Sequence, residues 1–164
     1  MSTDVETIRI RSATTAHIAE LIRIAEEANL SPWSAQNYLD ELQTDASVML
    51  CLESEDGRTL GFIVGRTVTS AAEEDESDAE IYNLAIVESH RRTGLGQRLF
   101  DEFLDKCSAR EVASVWLEVR ASNKQAIDFY KQNGFEPVQS RPNFYENPRE
   151  HAILMRLLLK KTTA

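Results

Sequence analysis

The chain is short of cysteine and of positive charge and has no long apolar run, and each shortage removes a class of function. Its two cysteines, Cys51 and Cys107, stand alone. Neither belongs to a CxxC pair or has a histidine at ligand spacing, so neither a zinc site nor a disulfide framework is indicated. Cys107 falls on the apolar face of an expected helix and is taken as core. Lysine and arginine number 18 against 27 acidic residues, a formal net charge of −9. Such a field repels polyanions and argues against nucleic acid as a partner. The three histidines, His17, His90 and His151, form no ligand set or triad in sequence and are expected at the surface. No stretch of about 18 apolar residues occurs, and the opening MSTDVETIRIRSA lacks a basic segment followed by an apolar one. The expectation is a soluble, cytoplasmic protein with no metal and no membrane partner.

A length of 164 residues suits one domain with a self-sufficient core, and with neither repeat nor linker a single domain over 1–164 is expected. Ile8 and Ile10 alternate with polar residues, which predicts a strand. Ile18, Leu21, Ile22 and Ala25 have helical spacing. Asn29-Leu30-Ser31-Pro32 breaks that helix, and Ser34 can cap a second one running through Leu42. Val48 to Glu53 and Thr59 to Thr69 suit paired strands around an Asp56-Gly57 turn. A third strand, Glu80 to Val87, follows an acidic loop. A helix from about Gly94 to Arg110 places Leu95, Leu99, Phe103 and Cys107 on one row. Val112 to Arg120 is a strand. Ser122 is the expected cap of a helix that Gly134 ends, and short strands close the chain near Glu136 to Ser140 and His151 to Leu158. The order predicts an α+β fold with a mixed sheet rather than a regular βαβ alternation.

The sequence RRTGLG, Arg91 to Gly96, lies between the third strand and the long helix. Unpaired N–H groups at a helix start carry roughly half a positive charge, which suits a pyrophosphate. Glycines at 94 and 96 let the backbone approach such a ligand. The pattern lacks the GxGxxG of a dinucleotide fold, and Gly96 is followed by Gln97, which excludes a Walker A loop. Taken alone, its glycines could equally well only turn the chain.

RRTGLG together with IYNLAI, WLEVRASN, FYKQNGF and PWS (Pro32 to Ser34) resembles the GNAT superfamily of acetyl-CoA-dependent N-acetyltransferases. Within it the chain is most similar to the RimI-type group, which acetylates the N-terminal alanine of a small-subunit ribosomal protein. The resemblance spans nearly the whole chain and is strongest from Glu80 to Phe135. It implies a mixed, mostly antiparallel sheet flanked by helices. It also implies that Leu84, Ala85 and Ile86 pair through their main chain with the pantetheine arm of acetyl-CoA. Arg91, Arg92, Thr93, Gly94, Leu95, Gly96 and Gln97 would hold the pyrophosphate, and Asn123 and Tyr130 would lie near the cofactor. Asn123 also suits a plain helix cap.

The resemblance assigns Glu118 as general base, acting through a water, and Tyr130 as general acid to the CoA sulfur. On residues alone, Glu118 is a carboxylate amid an apolar strand, with Trp116 and Arg120 on its face and Val115, Leu117 and Val119 on the other. An exposed or arginine-paired glutamate is the bland alternative, and a core tyrosine is that for Tyr130. The implied oxyanion donor is a backbone N–H near Ile86. An α-amine titrates about 2.5 units below lysine, which saves roughly 3.4 kcal/mol of deprotonation and favours an N-terminal acceptor. The acidic run Glu73 to Asp78 could attract a basic peptide or form a solvated loop. Family resemblance puts Arg141 and Tyr145 against the incoming peptide. Phe144, in place of a second tyrosine, and His151 depart from the pattern. The expected partner is a protein N-terminus, a ribosomal protein included, met by a monomer or weak dimer. The alternatives are acetylation of a lysine or small amine, and a silent acetyl-CoA sensor.

Overall fold

The computed structural model describes residues 6–69 and 76–159. Its elements run β1 (Ile8–Ser12), α1 (Ile18–Glu27), α2 (Ala35–Leu42), β2 (Ser47–Ser54), β3 (Thr59–Thr69), β4 (Ser77–Ile86), α3 (Leu95–Ala109), β5 (Val112–Arg120), α4 (Lys124–Gln132), β6 (Glu136–Tyr145) and β7 (Glu150–Leu158). The strands hydrogen-bond in the order β1-β2-β3-β4-β5-β7-β6. β4 and β5 pair in parallel, whereas β1–β2, β5–β7 and β6–β7 are antiparallel. The α+β, mixed-sheet expectation is met. Two compact units are distinguished: Met1–Gly65 with Asn83–Lys106, and Arg66–Tyr82 with Cys107–Ala164.

The first unit is organised around the apolar side of α1. Ile18, Leu21, Ile24 and Ala25 are buried there with Tyr38, Met49, Cys51, Phe62, Val64 and Ala85. Fully burying Leu21 or Ile24 contributes roughly 1.5–3 kcal/mol each. Ile24, rather than the expected Ile22, takes the inward position, and Ile22 is only half-buried. The helix stops at Asn29, whose φ of 55° is left-handed, and Leu30 N–H closes onto Ala25 O at 3.0 Å. Ser34 caps α2 reciprocally: its Oγ accepts from Asn37 N–H at 3.1 Å, while Asn37 Oδ1 accepts from Ser34 N–H at 2.9 Å. Val48 to Leu52 and Thr59 to Gly65 are buried without alternation, the pattern of strands covered on both faces.

In the second unit β5 alternates, with Val115, Leu117 and Val119 buried and Trp116, Glu118 and Arg120 half-buried. Three boundaries differ from expectation. β4 begins at Ser77, so the end of the acidic run is strand; Glu73 to Asp75 lie outside the described residues. α4 is capped by Asn123, whose Oδ1 accepts from Ala126 N–H at 3.1 Å; the Ser122 hydroxyl faces Glu150 instead, and Ser122 N–H donates to Glu150 Oε1 at 2.6 Å. β6 runs on to Tyr145: it is an edge strand, exposed at all residues but the last, and Pro142 falls where its ladder with β7 is interrupted between Arg141 and Tyr145. Gly134, at φ 93°, ends α4 as expected. Among the described residues no helix is long and apolar enough to cross a membrane.

Candidate active site

The cradle residues all belong to the first unit. β3 and β4 approach closely at Gly61, where a Cβ would stand 2.8 Å from Ala85 O and 2.6 Å from Ile86 Cδ1. Val87 N–H donates to Leu60 O at 2.8 Å, after which a single helical turn, Glu88–His90, leads into the glycine loop. Arg92 and Gly94 have φ of 62° and 84°. Left-handed residues within a loop turn neighbouring N–H groups into an anion-binding concavity. Arg98 N–H donates to Gly94 O at 3.1 Å, closing the first turn of α3 on the loop glycine. Leu95 is buried, so the backbone is what it offers outward. Arg91 turns back along the chain and its Nε donates to Ile86 O at 2.9 Å, which ties the cradle to the strand end. Thr93 Oγ1 donates to His90 O. Gln97 Nε2 donates to Asp101 Oδ1 at 2.8 Å, along the helix.

The remaining candidates lie in the second unit. Glu118 Oε1 is 2.9 Å from Arg141 Nη1, with side-chain exposures of 24% and 43%. Burial pushes the Glu118 carboxyl above the ordinary range; Arg141 opposes this and the Glu80 charge adds to it. Tyr145 lies under Arg120, 4.5 Å from guanidinium carbon to ring centroid. Burial, with the Glu118 charge second, raises its hydroxyl to about 12. Tyr130 is buried edge-on to Phe129 at 5.4 Å and Phe135 at 5.5 Å. Burial raises it well above a normal phenol, and Tyr145 adds to the shift. The structure thus groups Glu118, Arg141, Tyr145 and Tyr130 electrostatically. Asn123 sits at the start of α4 with its carbonyl oxygen committed to the cap.

These groups have complementary chemistry. A half-buried carboxylate of raised pKa is a stronger base than an ordinary glutamate, a buried phenol stays protonated, and a helix start suits an anion. Among the described residues no cluster of histidine, cysteine or carboxylate side chains could hold a metal ion. Cys51 and Cys107 are buried thiols raised to about 12 by burial, and so inert. The surface placement expected of the histidines fails for His17, whose side chain is 12% exposed and pairs with Glu53. His90 pairs with Glu6 at 3.0 Å. His151 Nδ1 accepts from Asn143 N–H at 3.0 Å, so this departure from the family pattern fastens β6 to β7. Sequence reasoning gave Arg120 no role. Its position two residues beyond Glu118, on the same strand face, was the available signal.

Comparison with known proteins follows the same lines. The model of the acetyltransferase (GNAT) family matches residues 18–135. The chain is 31% identical over 150 residues to the ribosomal protein bS18-alanine N-acetyltransferase of Escherichia coli, covering 90% of this chain and 95% of that one. The crystal structure of the Escherichia coli ribosomal-protein-S18-alanine N-acetyltransferase superposes with a TM-score of 0.79 at 29% identity, covering 96% of this chain and 99% of the other. Ard1 from Thermoplasma volcanium gives a TM-score of 0.82 at 29% identity, with coverages of 94% and 99%.

Proposed function

The chain belongs to the acetyltransferase (GNAT) family, and we propose that it moves the acetyl group of acetyl-CoA to the N-terminal α-amino group of a protein, a ribosomal protein beginning with alanine being the favoured acceptor. The similarity to the bS18-alanine N-acetyltransferase, which runs through almost the full length of both chains, carries this reading. The raised carboxyl of Glu118 supports it as a base, and a glutamate base suits an α-amine, which is easier to deprotonate than a lysine.

In this reading the amine loses its proton to Glu118 through a water and attacks the thioester carbonyl. A tetrahedral intermediate forms, its oxyanion met by a backbone N–H near Ile86. The C–S bond then breaks and the sulfur takes a proton from Tyr130. A thiol titrates about 1.5 units below an ordinary phenol, so donation is uphill even before burial raises Tyr130 further. The phenol therefore contributes most as a hydrogen-bond donor while charge builds on sulfur. Residues Leu84 to Ile86 receive the pantetheine arm, Arg91 to Gln97 the pyrophosphate, and Asn123 lies beside the cofactor. Arg141 and Tyr145 serve the acceptor. The chain works as one catalytic domain, 1–164, in the cytoplasm, as a monomer or weak dimer.

The test compares acetylation of a peptide beginning with alanine, the same peptide N-terminally blocked but carrying a lysine, and a free small amine. Turnover of the first alone is expected. Preference for lysine or the small amine would overturn the acceptor assignment, and tight acetyl-CoA binding without any turnover would favour a sensor.

A further inference from the structure

Arg120 ends β5, and its guanidinium gathers the whole turn between β6 and β7. Nη1 donates to Pro148 O at 3.0 Å and lies 3.4 Å from Glu150 Oε2. Nη2 donates to Glu146 O at 3.2 Å. The guanidinium carbon stands 4.5 Å from the centroid of the Tyr145 ring. Tyr145 and Glu150 are themselves register partners, so residues 146–149 form the turn whose carbonyls Arg120 collects. The Arg120 and Glu150 side chains are only 12% and 16% exposed, which strengthens charge-assisted bonds relative to water. Glu150 in turn accepts from Ser122 N–H at 2.6 Å, so the same carboxylate fastens the turn to the approach of α4.

This set of contacts needs a planar fork. A lysine could satisfy one carbonyl or the carboxylate, but it could not serve both turn carbonyls and lie flat over an aromatic ring. A merely electrostatic surface pair would not engage two backbone carbonyls as well.

We propose that Arg120 is the positioning residue of the acceptor side: it pins the 146–149 turn and holds Tyr145 where the incoming N-terminus meets it. The inference rests on the acceptor-side role given to Tyr145 under Proposed function. Arg120 acts on the peptide through Tyr145, leaving the acetyl-CoA side alone.

The experiment is steady-state acetylation of the alanine peptide by the full-length protein, varying each substrate in turn, for wild type, Arg120→Lys, Glu150→Gln, Tyr145→Ala and the Arg120→Lys/Tyr145→Ala double variant. Arg120→Lys should raise the peptide KM by about tenfold, with kcat and the acetyl-CoA KM within about threefold of wild type. Tyr145→Ala should do likewise, and the double variant should be no worse than the worse single one, since both act through one contact. Glu150→Gln keeps both carbonyl bonds and should give a smaller rise in the same direction. Amide hydrogen exchange at residues 145–150 should quicken in Arg120→Lys while β1 and β2 keep wild-type protection. A wild-type peptide KM in Arg120→Lys beside a raised one in Tyr145→Ala would overturn the proposal, as would additive effects in the double variant. Should Arg120→Lys fail to fold, an unchanged peptide KM and unchanged exchange in Glu150→Gln would overturn it equally. A failure of the proposed function itself shows differently, as an absence of peptide turnover by the wild type.

Discussion

Arg141 Nη1 lies 2.9 Å from Glu118 Oε1, so the carboxyl assigned as base and an arginine assigned to the acceptor side are held as an ion pair. The pair sets the protonation of Glu118 between two opposed influences. Burial and the Glu80 charge favour the neutral acid, while Arg141 favours the carboxylate.

The first prediction concerns pH. The base must be ionised, so activity rises as pH climbs through the folded-state pKa of Glu118, which lies above that of an ordinary glutamate. Arg141→Gln removes the influence that lowers this pKa and should move the acid limb of kcat/KM to higher pH. Glu80→Gln removes one that raises it and should move the limb down. Shifts in the same direction in both variants would show that Glu118 is not the group being titrated. Glu118→Gln should lose the limb altogether and about 100-fold or more in kcat.

A second prediction separates the chemistry of Tyr130 from its packing. Phenylalanine keeps the ring contacts with Phe129 and Phe135, so Tyr130→Phe should retain the wild-type Tm. Loss of the donor should lower kcat by about 100-fold with little change in either KM. The acid form is the active one and its pKa is raised, so no alkaline limb attributable to Tyr130 should appear at or below the pH where a normal phenol ionises. A limb in that range that vanishes in Tyr130→Phe would refute the assignment.

Local signals in the chain were enough for most elements and for the order of the fold. Period-2 alternation from Val115 to Arg120 correctly put Glu118 on the half-buried face, and Ser34 capped α2 as its position suggested. What local pattern could not supply were partners far along the chain. Ser122 looked the better cap, yet its hydroxyl and N–H both face Glu150, 28 residues on, and Asn123 is the cap. The strand expected near Glu136 to Ser140 runs on to Tyr145 as an edge strand whose ladder with β7 is interrupted between Arg141 and Tyr145. The half-buried His17 is paired with Glu53, 36 residues away, and the contacts of Arg120 are made with a turn beyond α4. The candidate site's residue types were legible because a motif is local, and an arginine partner for Glu118 was among the alternatives; that the partner is Arg141, and that Arg120 clamps the 146–149 turn, is set by register between strands.

A third prediction contrasts two glycines. At Gly61 a Cβ would meet Ala85 O at 2.8 Å, which is backbone and cannot swing aside. Gly61→Ala should cost about 1–3 kcal/mol of stability and, by displacing the Ala85–Ile86 strand, raise the acetyl-CoA KM. At Gly96 the nearest atom is Ile86 Cγ1 at 3.8 Å, an ordinary contact, and alanine is favoured over glycine within a helix by about 0.5–1 kcal/mol. Gly96→Ala should therefore leave the denaturant midpoint unchanged or raise it. Equal stability of the two variants would mean that the close approach of β3 and β4 is not maintained in solution.

The last prediction concerns a polar group that the core tolerates rather than uses. Tyr38 is fully buried, with its ring 5.1 Å from Trp33 and 6.2 Å from Phe62. Burial raises its hydroxyl to about 12, opposed by the Asn83 amide close by, yet neither Tyr38 Oη nor Asn83 Nδ2 meets hydrogen-bond geometry with any group. An unsatisfied buried hydroxyl costs about 1–3 kcal/mol, and phenylalanine retains both ring contacts. Tyr38→Phe should thus be neutral or stabilising by up to about 1 kcal/mol in urea denaturation, with unchanged m. Its effect on turnover should be slight, because Tyr38 packs in the core of the first unit and carries no step of the transfer. A loss of more than about 1 kcal/mol would instead mean that Tyr38 and Asn83 form a hydrogen bond in solution, and Asn83→Ala should then cost a similar amount that is not added in the double variant.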